Sequence, residues 1–119
     1  MSSLEYALQK AREMPYSRGF QRHYSVVLDR RGRVVSESAN SYVKTSPRSF
    51  KAASKVGRPE ACYLHSEQRA LYLDKRRKGV KLVVVRVDAK GQAVYSEPCE
   101  ICKEVLKDFP NIKSVEFSV

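Results

Sequence analysis

The sequence predicts an α/β protein, a layered domain built on a mixed sheet of four to five strands with helices on both faces. Three observations carry this. Residues 81–88 hold Leu82, Val83, Val84, Val85 and Val87, a β-branched run of the kind that fills a central strand buried on both sides. Helical and extended patterns alternate along the chain in the order helix, strand, strand, helix, strand, helix, strand. The 119 residues are 42% apolar, and a chain of this size buries roughly two-thirds of its unfolded surface, enough for a core without staples. One domain spanning 1–119 is expected.

Each element has a local reason. Leu4, Ala7, Leu8, Ala11 and Met14 recur at helical spacing. Ser2 with Glu5 three positions on fits a capping box, and Pro15 marks the stop. Residues 23–30 read as a strand through Tyr24, Val26, Val27 and Leu28, with Arg31-Gly32 turning the chain into a second strand over 33–39. Residues 40–60 lack periodicity apart from a short helix expected around 49–55, and no acid occurs from 44 to 58. A helix is predicted over 64–78 on Leu64, Ala70, Leu71 and Leu73. Its end carries Lys75-Arg76-Arg77-Lys78 before Gly79, which reads either as helix termination or as a phosphate contact. After the valine-rich strand, Ala89-Lys90-Gly91 turns into a short extended piece reaching Tyr95. Cys99 to Phe109 reads as a helix, and Ile112 to Val119 as a last strand covered on one face. The two strand–helix–strand steps in this half are expected to be parallel.

The charge narrows the partners. Lys and Arg number 23 against 13 Asp and Glu, a net charge of +10, which favours nucleotides, nucleic acid or acidic surfaces. No apolar run approaches the ~20 residues of a membrane span, so no membrane partner is expected. Glu5, Gln9, Lys10, Arg12 and Glu13 interrupt any signal-peptide core, which points to the cytoplasm. The cysteines are three, Cys62, Cys99 and Cys102, and an odd count is no disulfide framework.

Two short motifs open two helices: His65-Ser66-Glu67 and Pro98-Cys99-Glu100-Ile101-Cys102. An imidazole and two thiolates suit zinc, which takes N and S donors tetrahedrally. Three protein ligands leave one position for water, whose pKa zinc lowers towards ~7. Glu67, two residues beyond the imidazole, is then placed to move protons. If both helices cover one face of the sheet, their starts meet above strand ends, where open α/β sheets put their sites.

With these residues the sequence resembles the zinc-dependent cytidine deaminase-like superfamily, whose signature H-x-E…P-C-x-x-C is matched by His65-Ser66-Glu67 and Pro98-Cys99-x-x-Cys102. The resemblance covers the chain from about Leu4 to Val119 and implies a three-layer α/β/α deaminase-like core. It also implies zinc on His65, Cys99 and Cys102, with Glu67 as proton shuttle in a hydrolytic deamination: zinc hydroxide attacks the ring carbon bearing the amino group, and ammonia leaves. It places Asn40, in Ala39-Asn40-Ser41-Tyr42, at a substrate contact, and Ser96 and Glu97 beside the pocket. Tyr42 is a candidate to stack on a base. The stretch Asn40 to Pro47 looks like the corresponding loop of small phage-encoded members, which would place the protein in a host cytoplasm. Departures are Ser66 where Ala is commonest, an end at Val119 where many members continue into a further strand, and no recognisable regulatory residues of a deoxycytidylate deaminase. The shorter end makes a homo-oligomer the expectation.

The substrate implied is a cytosine nucleoside or nucleotide, with Lys44, Arg48 and Lys51 of the basic loop as phosphate or nucleic-acid contacts. A second reading is action on a base within RNA or single-stranded DNA, since Glu97-Pro98-Cys99 looks somewhat like tRNA adenosine deaminases. A third is a structural-zinc nucleic-acid-binding module without chemistry, in which Cys62-x-x-His65 and Cys99-x-x-Cys102 close a four-ligand site. A thioredoxin-like role for Cys99/Cys102 would need the motif earlier, after the first strand. His23 reads as a strand residue.

Overall fold

The computed structural model describes residues 2–16, 18, 21–41, 47–57 and 65–119. Its strands are β1 (Arg22–Leu28), β2 (Val34–Ala39), β3 (Lys81–Val87), β4 (Ala93–Val94) and β5 (Ser114–Phe117). The helices are α1 (Ser3–Glu13), α2 (Pro47–Lys55), α3 (Ser66–Leu73) and α4 (Glu100–Leu106). The strands form one mixed sheet. β1 lies between β2 and β3 and is antiparallel to both. The far side of β3 is shared: β5 runs parallel along Lys81–Val84, and β4 runs antiparallel against Arg86 and Val87. β3 is thus the central strand, and Leu82 to Val85 have no exposed surface. Both strand–helix–strand steps are parallel as expected, and the second, from β3 to β5, joins neighbouring strands. β2 and β3 point the same way with β1 between them and do not pair.

Side-chain alternation splits the core into two layers. Val26, Leu28, Val83, Val85 and Val87 meet Ala7, Leu8 and Ala11 of α1 on one face. Val27, Leu82 and Val84 meet Ala52 and Ala53 of α2, Ala70 and Leu71 of α3, and Ile101 and Val105 of α4 on the other. Helices therefore cover both faces, with α3 and α4 side by side on one. Among the described residues no helix is long and apolar enough to cross a membrane.

The local signals act as expected at several ends. The Ser2 hydroxyl accepts from the Glu5 N–H at 3.1 Å and caps α1. Gly32 takes φ +77° in the β1–β2 turn, and Asp29 braces that turn by accepting from the Arg31 and Arg33 N–H groups. The end of α3 differs. The helix stops at Leu73, so Lys75 to Lys78 lie beyond it and form no last turn. Asp74 ends it: its buried carboxylate accepts from the N–H groups of Lys78 and Gly79, a local bond that competes with helix continuation. Arg77, not Gly79, takes the left-handed conformation, at φ 54°. Its guanidinium lies 4.1 Å from the Phe109 ring centre. Gly79 serves close approach, since a Cβ there would lie 2.1 Å from Val27 Cγ1. Leu73, one of the apolar residues on which this helix is predicted, is its last residue and is 48% exposed.

Candidate metal centre

Both motifs are set at helix starts. His65 is the N-cap residue of α3 and Cys99 that of α4, each in extended backbone. Because the two helices share one face, the three side chains converge. His65 Nδ1 lies 3.1 Å from Cys102 Sγ and 3.5 Å from Cys99 Sγ, and the two sulfurs are 3.6 Å apart. Tetrahedral zinc with ordinary bond lengths needs S···S of ~3.8 Å and N···S of ~3.6 Å. The donor set therefore fits a zinc ion with adjustments of a few tenths of an ångström, and these residues could hold a metal.

The surroundings brace this triangle. Ser66, fully buried, shares a 2.7 Å hydroxyl contact with Ser25 of β1, which ties the start of α3 to the sheet. Gln68, also without exposed surface, donates from Nε2 to Cys102 Sγ at 3.6 Å. Sequence reading missed Gln68. Its signal was present, an amide one helical turn beyond His65 on the inward side of α3. Pro98 is buried ahead of Cys99.

Charge is strongly perturbed here. The hydrogen bond with Cys102 holds the Cys99 thiol down at about 3, with His65 adding to it. Burial and the neighbouring Cys99 push the Cys102 thiol up. Glu67 is 5% exposed, and burial raises its carboxyl against the opposing pull of its own backbone N–H and of His65. The carboxyl also interacts with the Cys102 thiol, so Glu67 belongs to the same cluster. His23, on the α3 side of β1, is lowered to about 4, first by burial and then by Arg86 and His65.

The other expected contacts fall in three groups. Asn40, at the end of β2, binds β1: its Oδ1 accepts from the His23 N–H at 3.1 Å and its Nδ2 donates to the Gln21 carbonyl at 3.0 Å. Ser96 is buried, donates to the Val84 carbonyl and accepts from the Ser118 N–H, so its hydroxyl fastens β3 to the chain end. Glu97 is exposed. It accepts from the Tyr95 phenol and pairs with Lys103 at 3.4 Å, which holds its carboxyl below the usual range. Lys51 is exposed on α2, and Arg48 belongs to the same helix. Tyr42, Lys44 and Cys62 lie outside the described residues.

No family model matches the chain, and no curated protein matches it. Among solved structures, a mutant of the cytidine deaminase from Mycobacterium tuberculosis superposes with a TM-score of 0.51 over 92% of this chain and 78% of that one, at 22% identity. The layered sheet is thus that of the cytidine deaminase fold.

Proposed function

We propose that this chain is a zinc-dependent hydrolytic deaminase of the base in a cytosine nucleoside or nucleotide. The observation that carries the reading is the triangle of His65 Nδ1, Cys99 Sγ and Cys102 Sγ with the buried Glu67 carboxyl against it. The shared fold with a cytidine deaminase supports it. His65, Cys99 and Cys102 would hold the metal, which when bound supplies an activated water at neutral pH. Glu67 takes a proton from the attacking water and returns it to the departing amine, so one water is consumed and one ammonia leaves. Burial of Glu67 keeps bulk water from competing for that proton. Gln68 holds the orientation of Cys102 from outside the triangle. Asn40, Tyr42, Ser96 and Glu97 border the substrate in this reading, Ser96 through its backbone because its hydroxyl is committed elsewhere.

A base within RNA or single-stranded DNA is the second reading, favoured by the net charge of +10 and the exposed Lys51 on α2. A panel of cytidine, its monophosphate, single-stranded DNA and tRNA, assayed for ammonia and base mass, separates the two. Binding of a strand would fall steeply with salt. Glu67→Gln is expected to lower turnover by ~10²–10⁴-fold while zinc content stays near one per chain. Turnover that survives Glu67→Gln would sink the mechanism. Zinc retained with no ammonia from any wild-type reaction would favour the structural-zinc module.

A further inference from the structure

His23 and Arg86 are register partners across β1 and β3. The next pair on the same face, two residues into the sheet, is Ser25, bonded to Ser66 of α3, and Val84, in the core with Leu71 and Ile101. Strand alternation puts His23 and Arg86 in the same row, at the end of the sheet where α3 and α4 begin. The His23 ring feels Arg86, His65 and Cys99 together, so the arginine belongs to the neighbourhood of the candidate metal centre.

Arg86 is half-buried and forms none of the ion pairs among the described residues. A cavity of about 370 Å³ opens beside it, lined also by Arg22, Gln21, Tyr16 and Val94. Arg22 is 8% exposed and spends its terminal nitrogens on the carbonyls of Arg12, Met14 and Asp88. Its Nε has no hydrogen-bond partner among the described residues. The one acid on this rim, Asp88, gives its carboxylate to the N–H groups of Lys90 and Gln92. Both arginines thus line one cavity, Arg22 with its terminal nitrogens already bound to carbonyls and neither in an ion pair among the described residues. A partly buried cation without a partner is costly, and the planar guanidinium fork matches phosphate oxygens.

We infer that Arg86 is a substrate-binding residue that takes the phosphate ester of a nucleotide whose base is held at the neighbouring His65–Cys99–Cys102 centre. This rests on the nucleobase-deaminase reading and sharpens it towards nucleotides over nucleosides. The chain has two histidines, so ring NMR signals give a readout free of turnover. Inorganic phosphate, titrated into zinc-loaded protein, is expected to move the His23 ring signal. Arg86→Gln should abolish that shift, and Arg86→Lys should keep part of it. In turnover, Arg86→Gln is expected to lower the ratio of kcat/KM for cytidine monophosphate over cytidine by roughly tenfold or more. The same ratio for a single-stranded oligonucleotide over cytidine tells whether the phosphate belongs to a free nucleotide or to a strand. Ratios unchanged by Arg86→Gln, or a His23 shift equal in both proteins, overturn the assignment. If the wild type deaminates nothing while phosphate still moves His23 through Arg86, the deaminase reading fails and the anion site stands.

Discussion

At the scale of single residues, the centre depends on contacts behind the ligands. Ser66 reaches Ser25 through two buried hydroxyls. Removing Ser66 takes from the Ser25 hydroxyl its bond, which costs about 1–3 kcal/mol, and removing Ser25 leaves Ser66 only its 3.4 Å bond to Glu67, whereas removing both is nearly neutral. Ser25→Ala and Ser66→Ala are each expected to lower the urea midpoint, with the double variant less affected than the sum of the two. Additive losses would mean that the pair is not coupled. The four residues His65, Glu67, Cys99 and Cys102 were legible in sequence because metal chemistry restricts residue type and spacing so tightly. Gln68 and Arg86 were not, because an amide or a guanidinium occurs in many settings and only its neighbours give it a task. Asn40 shows the same from the other side. Its position was legible, but its hydrogen bonds to β1 follow from strand register.

At the scale of elements, period and turn chemistry read correctly where one local cause decided the outcome. α1 begins at its Ser2 cap, and Gly32 turns the hairpin with positive φ. α3 shows where local reading stops. Four cations followed by glycine resemble a helix end, yet Asp74 ends the helix earlier by bonding N–H groups ahead of it. Gly79 is small because β1 passes against it, a contact between segments far apart in sequence. Gly79→Ala is therefore expected to destabilise the protein by about 1–3 kcal/mol through overpacking against Val27, measured by urea denaturation. Pairing with a compensating Val27→Ala should recover part of the loss, which a purely conformational effect at residue 79 would not allow.

At the scale of the whole molecule, a metal would join α3 to α4 across the sheet. Neither helix is long: α3 runs from Ser66 to Leu73 and α4 from Glu100 to Leu106. Short helices draw their stability from tertiary contacts rather than propensity. A ligand at 100 times its Kd adds about 2.7 kcal/mol, so chelation of zinc-loaded protein is expected to lower Tm by on the order of 10 °C. Readdition of zinc should restore it, and His65→Ala should abolish the response. A Tm indifferent to chelation would mean that zinc does not bridge the helices. The net charge of +10 also resolves at this scale. Arg77 is bound up with Phe109 and Asp108, Lys55 and Lys107 with Glu104, and Lys81 with Glu116. Arg86 stands apart from these pairs, beside the candidate centre.

The sequence by itself determined the layer order and the central strand, and it singled out the four residues of the candidate centre. Each follows from a local pattern: hydrophobic period, helix-start position or ligand chemistry. Only the tertiary structure decided which strands pair and which polar side chains stand behind the ligands. Those outcomes depend on groups remote in sequence meeting in space: β1 inserted between β2 and β3, Val27 against Gly79, and His23 opposite Arg86. No local pattern encodes such meetings, because their energy exists only once the sheet has formed.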